Sequence, residues 1–193
     1  MSISPSDKVL VSIENGIAIV TINNPAANTW DLESLPALEA VVEKLNAMSD
    51  VRALVVTGQG EKFFSAGADL NQFASGDPVA VGAMGEAFGA AFESLADYRG
   101  VSIAAINGYA MGGGLEVALA CDIRIAESHA ALALPEARVG LLPCAGGTQR
   151  LAQLVGEGWA KRMILCGERV DASKALQIGL VEEVVPFGQG LEA

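Results

Sequence analysis

The stretch from Tyr109 to Asp122, YAMGGGLEVALACD, sets three glycines directly before a glutamate and an alanine-rich apolar run. Glycines ahead of a helix serve a tight turn or close packing of that helix on a strand. They also let a ligand atom approach backbone N–H groups that lack helical acceptors, where the helix dipole adds positive potential, and such a place suits an oxyanion. Glu116 falls in the first turn of this helix, among Leu115, Val117, Ala118 and Leu119. Either it complements the dipole and reaches solvent, or it is buried, and desolvation then raises its pKa into a range useful for proton exchange near neutrality. A second carboxylate, Glu136, stands in ALALPEARVGLLPCAGGTQR, after a strand and a proline and before a glycine-rich helix start. Alone it reads as an ordinary first-turn glutamate. With Glu116 it forms a pair of carboxyls on apolar elements, the arrangement that general acid and base chemistry needs, because environment sets one to donate and the other to accept.

Other chemistries find less support. No GxGxxG follows a strand, and AGGTQR lacks the Lys-Ser/Thr of a phosphate loop. A Ser-His-Asp or Cys-His nucleophile would have to use His129, which sits in ESHAALAL and reads as a strand-edge residue. No His, Cys and carboxylate cluster has metal-ligand spacing, so no metal site is expected. Cys121, Cys144 and Cys166 are scattered without CxxC spacing, which argues for reduced thiols rather than a disulfide framework or zinc knuckle.

The elements that must position the two glutamates follow a repeated strand and helix order. VLVSIENGIAIVTIN is a hairpin turned at Asn15-Gly16. Leu35, Leu38, Val41, Val42, Leu45 and Met48 recur at helical spacing, with Asp31 as the expected N-cap. VRALVVTG is a buried strand, and QGEKFFSAGADLNQF a turn-rich loop too apolar in its middle for a simple surface connector. Met84 to Tyr98 is expected to be helical, SIAAING a strand, Leu115 to Ala120 a short buried helix, DIRIA a strand, and ALALPE a strand running into Pro135. LLPCAGGTQRLAQLVG and EGWAKRMILCG read as two helices; Asp171 caps a third, ended by Gly179, before a last strand LVEEVVP. These units predict an α/β layered fold without a fixed-period repeat.

The whole chain fits one domain over residues 1–193, with an ordered core from Met1 to about Pro186 and a polar tail after it. Its apolar content of 51% is ample for a core. No window approaches the ~20 consecutive apolar residues of a membrane span, and MSISPSDK has no signal-peptide pattern, so a cytoplasmic location and no membrane partner are expected. A net charge of −11 with no basic stripe disfavours nucleic acid as a partner. A small anionic ligand remains compatible, because a few placed cations or N–H groups hold phosphates on an acidic protein.

FFSAGADL, AINGYAMGGGLEVALACDIRIA and ALPEARVGLLPCAGGTQRL, in this order, resemble the crotonase, or enoyl-CoA hydratase/isomerase, superfamily, and closely its hydratase members. The resemblance runs from the N-terminal hairpin through GERVDASKALQIGLVEEVV. It implies a spiral of repeated ββα units and an acyl-CoA thioester substrate, with coenzyme A as part of the substrate and no separate cofactor. It implies oxyanion-hole N–H groups at Ala68 and Gly113, each worth ~10²–10³ in kcat, and catalytic carboxylates at Glu116 and Glu136. Substrate contacts are implied at Ala66, Gly67, Asp69, Leu70, Gly112 and Cys144, with Lys62 as a CoA phosphate contact. Cys144 replaces a common glycine, and Asn71 stands where a basic residue often follows. Family chains continue for several helices past the last strand, so the resemblance implies a core without that C-terminal segment, and trimers or hexamers when it is present. The implied activity is hydration of a 2-enoyl-CoA. The alternatives are an isomerase or other CoA-thioester enzyme of the same fold, a noncatalytic acyl-CoA-binding subunit, or, remotely, a peptidase on the related fold.

Overall fold

The computed structural model describes residues 3–73 and 77–193. The hairpin forms as the Asn-Gly pair requires: β1 (Val9–Glu14) and β2 (Ile17–Ile22) pair antiparallel with Glu14 opposite Ile17. Asn15 and Gly16 take φ values of 53° and 79°, the positive pair that a two-residue turn between twisted strands needs.

Three strand-strand-helix units follow. The first holds β3 (Ala53–Gly58), β4 (Phe63–Ser65) and α2 (Pro78–Ala96), after α1 (Ser34–Ala47). The second holds β5 (Val101–Ile106), β6 (Tyr109–Met111) and α3 (Gly113–Ala120). The third holds β7 (Ile123–Glu127), β8 (Ala131–Ala133) and α4 (Gly147–Leu165), and β9 (Val170–Asp171), α5 (Ala172–Gln177) and β10 (Glu183–Val185) complete the described chain. The first strand of each unit joins a six-stranded sheet of order β1-β2-β3-β5-β7-β10, parallel apart from the hairpin. The second strand joins a smaller sheet of order β4-β6-β8-β9, in which β4, β6 and β8 run parallel. This is the ββα spiral that the resemblance implies.

The small sheet decides where the site forms. Parallel neighbours stand about 4.8 Å apart and finish at the same edge, so the segments leaving β4, β6 and β8 converge beyond one sheet end. Those segments carry Ala66-Gly67-Ala68, Gly112-Gly113 and Pro135-Glu136. Crevices outside the carboxyl ends of parallel strands are the usual ligand sites of such sheets.

One continuous core lies beneath. α1 buries Leu35, Leu38, Val41, Val42 and Leu45, and Trp30, Phe92 and Phe88 form an edge-to-face series with centroids 5.6 and 5.4 Å apart. Every residue of α3 is buried, consistent with a helix apolar on all sides. Among the described residues no helix is long and apolar enough to cross a membrane.

Several local expectations change. Asp31 is not the N-cap, because α1 begins at Ser34; it acts from two residues earlier, its Oδ1 accepting from the N–H groups of Glu33 and Ser34 at 3.0 and 2.8 Å. The segment read as a loop from Gln59 contains β4 and a 3₁₀ turn, Leu70–Phe73. α2 begins at Pro78 rather than Met84, with the Asp77 side chain accepting from Val79 N–H. The strand in ALALPE covers only Ala131–Ala133, and Glu136 opens a 3₁₀ turn, Glu136–Val139. Leu141 to Gly146 are not helical; α4 starts at Gly147 and breaks at Gly156, where φ is 76° and ψ 164°, so the two expected helices meet at a kink. Asp171 caps α5 through Lys174 N–H, and Gly179 follows with φ 77°. The residues after Pro186 turn back on the structure: the buried Glu127 carboxylate accepts from Gly188 and Gly190 N–H at 2.8 and 3.2 Å.

Candidate active site

The three converging segments, with α2 and the loop before α4, enclose a cavity of about 720 Å³. Ala66, Ala68, Asp69, Leu70 and Cys144 line it, as do Gly112, Gly113, Glu116 and Glu136. Gly67 and Lys62 do not. Gly67 instead seats one segment on the next: its carbonyl accepts from Trp30 N–H at 2.8 Å, and a β-carbon there would stand 2.6 Å from Met111 O and 3.0 Å from Gly113 N. Lys62 is exposed, with Nζ 5.3 Å from the Phe63 ring centre.

Ala68 and Gly113, which both line this cavity, each carry a backbone donor. Trp30 bonds to Gly67 O and Asp69 N–H, which passes over the amide between them. Neither the Ala68 N–H nor the Gly113 N–H has an acceptor among the described residues. Gly113 is the first residue of α3, where helical N–H groups lack partners. The glycine run around it answers three separate demands. Gly112 has φ 54° and lies under Glu136, whose Oε1 would be 3.0 Å from an added β-carbon; Gly113 faces Phe88; Gly114 packs so closely on β4 that its β-carbon would be 2.1 Å from Ser65 O.

Glu116 is 2% exposed and yet reaches the cavity. Its Oε1 accepts from Ala145 N–H at 2.8 Å and Gly147 N–H at 2.9 Å. Burial pushes its pKa up, against the opposing pull of those N–H groups and of the Arg150 guanidinium. Glu136 differs. Burial pushes its pKa up to about 7, with the Glu116 charge adding to the rise and its own N–H opposing it. Its Oε2 is buried without a hydrogen-bond partner among the described residues. Donors at Glu116 favour a carboxylate; an unpartnered oxygen at Glu136 favours the acid. Two such groups at one cavity are suited to divide base and acid roles between them. The Cys144 thiol beside them is held protonated, its pKa pushed up to about 11 by burial and by both carboxylates.

His129 lies in the turn between β7 and β8, its Nε2 3.0 Å from Glu61 O and its ring against Phe187, and it does not line the cavity. Sequence reasoning missed the N–H groups of Ala145 and Gly147, although the small residues of CAGG mark a segment able to approach a carboxylate closely. It also missed the α2 wall of Val81, Gly85 and Phe88, and Arg138, Leu141 and Leu142 on the opposite side in sequence. Phe88 had a visible signal, its shared helical face with Phe92 and Leu95.

Comparison with known proteins agrees with this arrangement. The family model for Enoyl-CoA hydratase/isomerase matches residues 12–192. The short-chain-enoyl-CoA hydratase of Clostridium acetobutylicum is 41% identical over 180 residues, which are 93% of this chain and 69% of that protein. The 2,3-dehydroadipyl-CoA hydratase of Escherichia coli is 38% identical over 186 residues, 96% of this chain and 72% of the relative. A solved structure of Pseudomonas aeruginosa DspI superposes with a TM-score of 0.96 at 66% identity, covering 97% of this chain and 77% of that one. A crystal structure of enoyl-CoA hydratase from Bacillus anthracis superposes at 0.93 with 38% identity, covering 96% and 73%. With its spiral fold and its pair of carboxyls beside free N–H groups, the chain belongs to the enoyl-CoA hydratase/isomerase family.

Proposed function

We propose that the chain is an enoyl-CoA hydratase, adding water across the 2,3 double bond of a 2-enoyl-CoA to give a 3-hydroxyacyl-CoA. The observation that carries this reading is that Glu116 and Glu136 line one cavity together with Ala68 and Gly113, whose N–H groups have no acceptor among the described residues. A hydratase needs all four. The thioester carbonyl oxygen accepts from the Ala68 and Gly113 N–H groups, which makes C3 electrophilic. Glu116 takes a proton from water as the water oxygen bonds to C3, and the double-bond electrons move through C2 to the thioester oxygen. That enolate is where the two N–H groups act most strongly, because charge develops there. It then collapses by taking the Glu136 proton at C2. A proton passed from Glu116 back to Glu136 resets the pair.

The relatives named as hydratases support this choice over other reactions of the family. Coenzyme A enters as part of the substrate, so no separate cofactor is called for. A cytoplasmic location and assembly into trimers or paired trimers belong to the same proposal, the assembly on the strength of family resemblance. Product analysis with 2-enoyl and 3-enoyl thioesters tests the reaction. Formation of 3-hydroxyacyl-CoA from the 2-enoyl compound is expected. Conversion of 3-enoyl to 2-enoyl thioester without hydration would make the chain an isomerase, and tight acyl-CoA binding without turnover a binding subunit.

A further inference from the structure

The cavity wall formed by α2 has one position without a side chain. Val81, Gly85 and Phe88 follow one another at spacings of four and three residues, which places them on one helix face, and all three line the cavity. Phe88 marks the inner end, since its Cε1 would be 2.7 Å from a β-carbon on Gly113. Its ring is 2% exposed and packs edge-to-face on Phe92 at 5.4 Å, so its position is fixed. Gly85 lies one turn further from Gly113 and Val81 another, a track of roughly 10 Å at ~1.5 Å per residue.

A β-carbon on Gly85 would meet nothing within 4 Å. No packed neighbour takes the space beside it, and because Gly85 lines the cavity that space opens into it. Glycine is among the poorest residues inside a helix, and neither a positive φ nor a close approach calls for one here. Gly82, on the same helix, is equally open, but it is exposed and outside the cavity lining. What sets Gly85 apart is what it faces.

We propose that Gly85 is a specificity-determining residue, and that its missing side chain leaves the room in which the methylenes of an acyl group longer than crotonyl lie between Phe88 and Val81. The inference rests on the proposed hydratase reading and adds the substrate class: enoyl thioesters with an apolar tail of several carbons beyond the double bond. A side chain at 85 would fill this space and reject the tail by overlap, leaving the thioester end of the cavity at Gly113 untouched.

The test compares the wild type with Gly85→Ala, Gly85→Leu and, as a control on the same helix, Gly82→Leu, each checked for folding by circular dichroism. Two quantities are read: the ratio of kcat/KM for octenoyl-CoA over crotonyl-CoA, and the ratio of dissociation constants for octanoyl-CoA and butyryl-CoA. The wild type is expected to prefer the longer acyl group in both. Gly85→Leu should lower that preference at least about tenfold, the scale on which pocket shape discriminates chain length. Gly85→Ala should lower it less, and Gly82→Leu should leave it at the wild-type value. If neither enoyl thioester is hydrated but the binding preference still falls with side-chain size at 85, the hydratase reading fails and the role of Gly85 stands. A wild type with no preference for the longer acyl group, or a folded Gly85→Leu that retains the wild-type preference, overturns the inference.

Discussion

Glu116 Oε1 accepts the Gly147 N–H at 2.9 Å, and a β-carbon on residue 147 would stand 2.8 Å from that same oxygen. The glycine is thus part of how the carboxylate is held: the start of α4 comes close enough to donate only because it carries no side chain. Gly147→Ala must move either the helix start or the carboxylate. Overpacking of this kind costs about 1–3 kcal/mol, so the denaturant midpoint should fall. If Glu116 is the base, kcat should fall with it by at least about tenfold, since a displacement near 1 Å of a reacting group is costly. Wild-type kcat in Gly147→Ala would show that the Gly147 contact does not set the position of the base.

Gly114 makes a different prediction. Its β-carbon would be 2.1 Å from Ser65 O, a backbone atom of β4 that cannot swing aside as a side chain does. Gly114→Ala should destabilise by more than the about 1–3 kcal/mol of ordinary overpacking, read as a large drop in Tm. A Tm equal to wild type would mean that α3 and β4 are not as closely seated as described.

The carboxyl of Glu136 gives a pH dependence with a definite sign. Its pKa is raised to about 7 from an ordinary 4.5, chiefly by burial, so the folded protein binds more protons than the unfolded chain between those values. The stability associated with this group is therefore full below about 4.5 and lost as pH rises through about 7. Glu136→Gln should remove that decline, making the variant more stable than wild type at pH 8 relative to pH 5. If Glu136 is the acid of the proposed reaction, it must be protonated to donate, so kcat/KM for hydration should fall above about pH 7. Thermal melts at the two pH values and a pH–rate profile check both. A flat alkaline limb to pH 9 would contradict the acid role.

His129 supplies the converse case. It lies outside the cavity lining, against Glu61 O and Phe187. His129→Asn should leave kcat near the wild-type value. A loss of about 10²-fold, the scale of general acid or base removal, would assign the histidine a role that its position does not.

Much of the candidate site's arrangement was legible in the sequence because it is built from residue types that are costly elsewhere. Three consecutive glycines before an apolar helix carrying Glu116, and a second glutamate after Pro135, are unusual unless something must approach the backbone. The large-sheet strands were legible for a related reason: β2, β3 and β5 are six-residue runs rich in β-branched side chains. The small sheet was legible only at β8, read within ALALPE. β4 and β6 are three residues each, too short for alternation to register; β4 lies in a segment read as a loop, and β6 is hidden inside the glycine motif that drew attention for another reason. Those strands are nevertheless what bring Ala68, Gly113 and Glu136 to one edge. The α2 wall was hidden too. Periodicity located the helix only from Met84 onward, leaving Val81 outside it, and whether Val81, Gly85 and Phe88 face a cavity or the core depends on how α2 sits against α3, which spacing alone does not fix.

The central claim is that two carboxyls share one hydration reaction, and the most direct measurement is the loss of conjugated enoyl-thioester absorbance with crotonyl-CoA. Wild type, Glu116→Gln and Glu136→Gln are compared at one pH near neutrality. The account predicts turnover by the wild type and a fall in kcat of at least about 10²-fold in each variant, with both variants folded. Near-normal turnover in either variant would contradict it, because one carboxyl would then suffice.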